Sequence, residues 1–265
     1  MVTHLLDVRV EPEFREKHRP GAASLPLEEL PARVHELPPK GEAIAVTDAD
    51  PFRAEAAAVF LRARGHPIEI APFDAAELTE AGPARARLWR PSPFLVEALA
   101  EIGAPPPGAA APRRALDLAC GSGRDAAFLA LAGFEVEAVD VLPDALERAG
   151  DLARRTGVRV TTIQRDVERD PTLPAARYDL VVVFHFLWRD LFAPIRDSVK
   201  PGGHIVYETF HAKNRETGLR PFSPAHILEP GELAGAFAGF EIRIFRDGVE
   251  RGGRYVSSLL ARKPL

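Results

Sequence analysis

Apolar residues fall in short runs separated by polar, glycine- and proline-bearing segments, and their period changes repeatedly along the chain. Residues 180–184 read LVVVF without a polar break, the pattern of a strand covered on both faces. Extended runs at 115–119, 135–141, 158–167 and 178–186 alternate with helical spacings that begin at Arg124 and Pro143. That alternation implies a parallel sheet flanked by helices. Residues 203–210 follow a Lys200-Pro201-Gly202-Gly203 turn, and 241–249 and 255–263, joined by a short glycine-rich connection, read as an antiparallel hairpin. Upstream, Phe94, Leu95, Ala98, Leu99 and Ile102 follow a Ser-Pro start at helical spacing, predicting a helix over 92–102 that opens this half.

Two stretches break the periodicity: 72–93, dense in Ala, Pro and Arg, and 103–112, GAPPPGAAAP. Proline removes a backbone donor and biases its predecessor away from helix, so both predict connections. A chain of 265 residues has room for two cores. The expected division is a first domain over 1–78, a linker over 79–91 and a second domain over 92–265.

Composition narrows the chemistry. The net charge is −4, with Arg and Lys interspersed among Asp and Glu, so no basic stripe suited to nucleic acid emerges. The one cysteine, Cys120, excludes an intramolecular disulfide and a cysteine zinc cluster, and no metal site is expected. The first ten residues lack a basic start followed by an apolar run, and no apolar stretch reaches membrane-spanning length. A cytoplasmic protein without membrane contact is expected.

The run Ala115-Leu116-Asp117-Leu118-Ala119 leads directly into Cys120-Gly121-Ser122-Gly123, and a helix from Arg124 follows, stopped at Gly133. A strand, glycine loop and helix in this order let a ligand approach the backbone closely and offer helix-start N–H groups to an anion. A methionine carboxylate and a pyrophosphate both fit. Gly121-x-Gly123-x-x-Ala126 with Asp140 downstream also satisfies the dinucleotide fingerprint, so a nicotinamide-dependent oxidoreductase stays open on the loop alone. Asp117 four residues before the loop, Asp166 in Arg165-Asp166-Val167, and the closing hairpin favour a different ligand. Cys120 beside the loop reads as a small packing residue, since no base accompanies it.

With LDLACGSG, Val139-Asp140-Val141, Arg165-Asp166-Val167, Tyr178-Asp179-Leu180 and KPGG in order, the second half resembles the class I S-adenosylmethionine-dependent methyltransferases over nearly its whole length. The resemblance implies an α/β fold with a Rossmann-like seven-stranded sheet whose last strand is antiparallel, and S-adenosylmethionine as cofactor. It implies that Gly121 and Gly123 pass under the methionine part, Asp140 holds the ribose hydroxyls, Asp166 faces the adenine and Asp117 lies behind the loop near the ammonium. Ser122, Val141, Val167 and Phe184 complete the implied cofactor set. Arg124 pairs either with the methionine carboxylate or with a neighbouring acid.

Methyl transfer from a sulfonium needs alignment more than a strong catalytic group. The acceptor side should begin at Phe184-His185-Phe186-Leu187-Trp188-Arg189, which lacks the Asn/Asp-Pro-Pro-aromatic motif of enzymes that methylate amino groups of bases and glutamine. The segment from Arg189-Asp190-Leu191-Phe192 through KPGG, Tyr207-Glu208-Thr209-Phe210, Asn214 and Leu228-Glu229-Pro230-Gly231-Glu232-Leu233 resembles the tellurite-resistance type and its thiopurine-type neighbours. That likeness implies a small soft nucleophile, a thiol or a selenium or tellurium compound, with His185 and Arg189 as catalytic candidates and His211 beside them.

Asp7-Val8-Arg9, Glu13-Phe14, His18-x-Pro20-Gly21-Ala22 and Leu25-Pro26-Leu27-Glu28-Glu29-Leu30 resemble the rhodanese-like domains over about the first 75 residues. A strand over 43–47 then leads to Asp48-Ala49-Asp50-Pro51-Phe52-Arg53 and a helix over 54–64. The resemblance implies a catalytic cysteine at the start of that loop, where Thr47 or Asp48 stands. Without a thiolate no persulfide can form, so no sulfurtransferase activity is expected. A homodimer or protein partner through this domain is one expectation, and a non-catalytic, adenosylmethionine-binding regulator that recruits a partner is the alternative function.

Overall fold

The computed structural model describes residues 3–105, 112–217 and 223–265. Residues 106–111 of the expected second connection lie outside them. The chain forms two compact units, residues 1–90 and 91–265.

In the first unit, β1 (Thr3–Asp7), α1 (Glu11–Glu16), β2 (Ala22–Ser24), β3 (Ala43–Thr47), α2 (Pro51–Arg62) and β4 (Ile68–Ile70) build a four-stranded parallel sheet in the order β2-β1-β3-β4. Leu6, Ile44 and Val46 from the strands meet Ala54, Ala57 and Leu61 of α2 in one core. The helix starts three residues earlier than its apolar spacing predicts, because Asp50 caps the Phe52 N–H at 2.9 Å and Pro51 sits where its missing donor costs nothing. The expected linker is partly packed: Leu88 joins this core, Glu80 bridges to His18, and Arg90 pairs with Glu42. Its proline content masked those contacts.

The second unit opens with α3 (Pro93–Ile102), followed by β5 (Arg114–Leu118), α4 (Arg124–Leu131), β6 (Glu135–Asp140), α5 (Pro143–Thr156), β7 (Val160–Gln164), β8 (Tyr178–Phe184), α6 (Phe192–Ser198), β9 (Val199–Phe210), α7 (Glu232–Ala236), β10 (Glu241–Arg251) and β11 (Arg254–Arg262). They form a seven-stranded sheet ordered β10-β11-β9-β8-β5-β6-β7, in which β11 alone runs against its neighbours. Leu180, Val181, Val182 and Val183 are fully buried because helices cover both faces. KPGG is a bulge inside β9 rather than a turn before it: Tyr178 pairs with Val199 and Leu180 already with His204. The chain reverses strand order at β5 and β8, and the carboxyl ends of strands at such a switch point are where open α/β sheets form their ligand crevice.

Candidate active site

The crevice is marked by backbone strain. Among the described residues only three non-glycine residues have positive φ, and two of them are Ala119 (φ 58) after β5 and His185 (φ 56) after β8. Such conformations cost of order 1–3 kcal/mol and persist where surrounding structure imposes them. The two residues lie beyond the ends of adjacent strands.

The glycine loop follows Ala119 directly. Gly121 (φ 54) has nothing within 4 Å of the position a Cβ would take, so the backbone there is open to a ligand. Gly123 (φ 75) faces the other way: a Cβ would lie 2.5 Å from Ala149 Cβ of α5, and glycine is required for α4 and α5 to close up. The Asp140 carboxylate, at the end of β6, accepts from Gly121 N at 2.8 Å and Leu142 N at 3.0 Å. It fixes the loop and keeps lone pairs for two further donors. Beside it Val141 and Leu142 are 48% and 54% exposed, an apolar shelf at a strand end.

Asp117 lies behind the loop, buried, with its Oδ2 lacking any hydrogen-bond partner among the described residues. Burial, then the nearby charge of Asp125, raises its pKa well above the usual carboxylate range, against a smaller opposing effect of the Ala126 N–H; Asp140 adds to the rise. Asp125 is likewise raised, by burial first, although it accepts from Ser92 N at 2.6 Å and Ser92 Oγ at 2.8 Å. Burial, reinforced by Asp117 and Asp140, also pushes the Cys120 thiol up, which makes it a packing group rather than a nucleophile. Three carboxyl groups therefore crowd the loop, two of them pushed toward their neutral forms, with Arg124 as a nearby cation. A pyrophosphate would push them further that way, whereas a ligand bearing an ammonium and a sulfonium favours their ionised forms, so the residues present fit S-adenosylmethionine. The orphaned Asp117 oxygen is a ready acceptor for the ammonium.

His185 follows β8, donates its backbone N–H to Glu208 O at 2.9 Å and tilts its ring against Phe210 with centroids 5.2 Å apart. Its side chain is reachable by solvent, and the surrounding protein lowers its pKa by desolvation first. Phe184, at the end of β8, is buried in the core.

The remaining expected residues divide. Asp166 accepts from the N–H groups of Glu168 at 3.1 Å and Arg169 at 3.2 Å, so its carboxylate also shapes a turn; Val167 beside it is buried. Ser122 stands in the loop, and Arg124 is exposed at the start of α4. Arg189, a catalytic candidate by resemblance, has its guanidinium engaged within the fold. Its guanidinium meets Glu232 at 2.6 and 2.9 Å and the carbonyls of Pro224, Ala225 and Ile227, which uses all five of its donors. It anchors the segment ahead of α7. His211 is likewise interior, only 2% exposed, with Nδ1 accepting from Lys213 N at 3.1 Å. Sequence reasoning missed Asp125, Ser92 and Leu142. The Ser-Pro start of α3 was the available sign of Ser92, but nothing local ties it to an acid 33 positions later.

In the first unit, the loop after β3 satisfies itself. Asp48 accepts from Asp50 N at 2.9 Å and from Arg53 Nε at 3.1 Å, and Arg53 also donates to Val8 O.

Comparisons with known proteins agree with both halves. Residues 115–203 match the family model of a methyltransferase domain, and residues 1–72 that of a rhodanese-like domain. An uncharacterised protein of Schizosaccharomyces pombe, UNK4.09, is 27% identical over 318 residues, covering 97% of this chain and 93% of that protein. The ubiquinone biosynthesis O-methyltransferase of Proteus mirabilis is 32% identical over 121 residues, which are 44% of this chain and 49% of that enzyme. Among solved structures, TehB from Haemophilus influenzae superposes with a TM-score of 0.51 at 19% identity, covering 64% of this chain and 61% of that one, a likeness of fold.

Proposed function

From a chain that joins a rhodanese-like domain to a class I methyltransferase domain with S-adenosylmethionine as its cofactor, we propose transfer of the methyl group to a small soft nucleophile, a thiol or a selenium or tellurium compound. The observation that carries this reading is His185, a histidine held neutral at an aromatic strand end. Bound adenosylmethionine supplies an electrophilic methyl group on a sulfonium. Gly121 N–H and Asp140 fix the loop beneath it, and Asp117 faces its ammonium. Phe210, whose ring tilts against His185, offers a polarisable face suited to sulfur. A neutral imidazole accepts the acceptor's S–H proton at neutral pH, and it does so without a strong base because a thiol is only weakly held.

Adenosylhomocysteine release is expected with small thiols, selenite or tellurite and not with catechols or other phenols; activity restricted to phenols would replace the soft acceptor with the chemistry of the Proteus relative. The pH dependence follows from His185. Its lowered pKa keeps the ring in its proton-accepting form as acid is added past the ordinary value of 6.5, so the acid limb of kcat lies below that value. His185→Asn, which tolerates positive φ, is expected to abolish that limb and lower kcat by about 10²-fold while adenosylhomocysteine affinity stays unchanged. An unaltered acid limb in the variant would remove His185 from the mechanism.

The first unit, on this reading, transfers no sulfur. Its loop lacks a cysteine, and Asp48 occupies the donors that would otherwise face an anion. Incubation with thiosulfate and cyanide is expected to yield no thiocyanate above the uncatalysed rate; enzyme-dependent thiocyanate would overturn this.

A further inference from the structure

At the opposite ends of the strands from the crevice, the second unit holds a cavity of about 340 Å³ lined by Glu101, Ile102, Gly202, His204, Arg243 and Arg262. The lining converges from four elements: the end of α3, the bulge of β9, the start of β10 and the end of β11. The two arginines are weakly committed. Glu241 lies 3.4 Å from the Arg243 guanidinium and 4.0 Å from that of Arg262, and Arg262 Nε donates to Gly202 O at 3.4 Å. Glu241 itself is about half exposed, so solvent screens what pairing it offers. His204 has its Nδ1 buried and unpaired among the described residues.

We propose that this cavity binds a small organic oxyanion, a phosphorylated metabolite of a few carbons. Two arginines on the lining of one concavity supply guanidinium forks of the kind that recognise phosphoryl oxygens bidentately. Ile102 offers an apolar wall to the carbon part, and the space is within the range of small-molecule sites. Burial, then the charges of Arg113, Arg262 and Arg243, against only Glu241, lower the His204 pKa to about 4. An anion seated among these groups offsets the arginine contribution, so binding and uptake of a proton by His204 are coupled. Glu101, the acid on the lining, opposes the anion and sets its orientation.

The test is calorimetry of the full chain at low salt with inorganic phosphate and with glycerol 3-phosphate, alongside nitrogen NMR of the His204 ring. Saturable binding is expected, tighter for glycerol 3-phosphate, with the His204 pKa rising by about one unit. Arg243→Gln combined with Arg262→Gln should weaken binding at least about tenfold, and Glu101→Gln should strengthen it a few-fold; adenosylhomocysteine affinity should hold in both. No saturable binding by either probe, or equal affinity in the double variant, would overturn the site. Equal affinities for the two probes would overturn the organic part and leave a bare oxyanion as the occupant.

Discussion

Asp140→Ala is expected to cost about 10²-fold or more in adenosylhomocysteine affinity while leaving the melting temperature nearly unchanged. The carboxylate does two jobs at once. It receives Gly121 N–H and Leu142 N–H, which sets the loop's shape, and its remaining lone pairs point to the ribose role that the strand-end position implies. Charge-assisted hydrogen bonds contribute about 1.5–3 kcal/mol each, and losing two of them to a ligand amounts to roughly 10²-fold or more. The side chain is only part-buried and outside both hydrophobic clusters, water can take over the two loop N–H groups, and removing the charge relieves repulsion on Asp117, so stability changes little. Asp140→Asn should fall between, since its amide turns one acceptor into a donor facing a loop N–H. Titration with adenosine separates the roles. A ribose ligand loses as much affinity for adenosine as for adenosylhomocysteine, whereas a residue that only holds the loop loses affinity for the methionine end alone. Calorimetric affinities within threefold of the unmodified protein would remove Asp140 from the site.

The parts of this site that the sequence reveals are those written in local pattern. A glycine loop between an apolar strand and a helix, and acids at successive strand ends, depend on neighbours a few positions away, and the periodicity places them well. What it cannot show depends on distant partners. Arg189 looks available because the residues that engage it, Pro224 to Glu232, come 35 to 43 positions later. His211 looks like a site residue until Gly248 and Lys213 pack around it. The bulge at Lys200–Gly203 reads as a turn because its glycines serve both purposes; only the register against β8 distinguishes them. The positive φ at Ala119 and His185 has no sequence signature, since neither residue type favours it strongly. Strain and buried unpaired charge, which single out the crevice, are both properties of the assembled sheet.

Asp117 carries the second large effect, with opposite signs for stability and binding. A buried carboxylate with one unpaired oxygen, close to Asp125 and Asp140, is a cost to the ligand-free fold. Its folded pKa is raised above the ordinary 3.8, so its contribution to stability is fully present below that value and is lost as pH rises through the folded pKa. Asp117→Asn removes the charge, leaves an oxygen for the Ala126 N–H and turns an amide donor toward the neighbouring carboxylates. The ligand-free variant is expected to be more stable at pH 8 by about 1–2 kcal/mol, a rise of roughly 2–8 °C in a unit of this size, and the gain should shrink as pH is lowered. Binding moves the other way. The anionic oxygen proposed to face the ammonium is gone, so adenosylhomocysteine affinity should fall about 10- to 100-fold, and the ligand should raise the melting temperature less than in the unmodified protein. Thermal scans at pH 5 and pH 8, with and without adenosylhomocysteine, decide the matter. A ligand-free variant that melts below the unmodified protein at pH 8 would show that the carboxylate stabilises the fold, and its burial behind the loop would then serve folding rather than the capture of an ammonium.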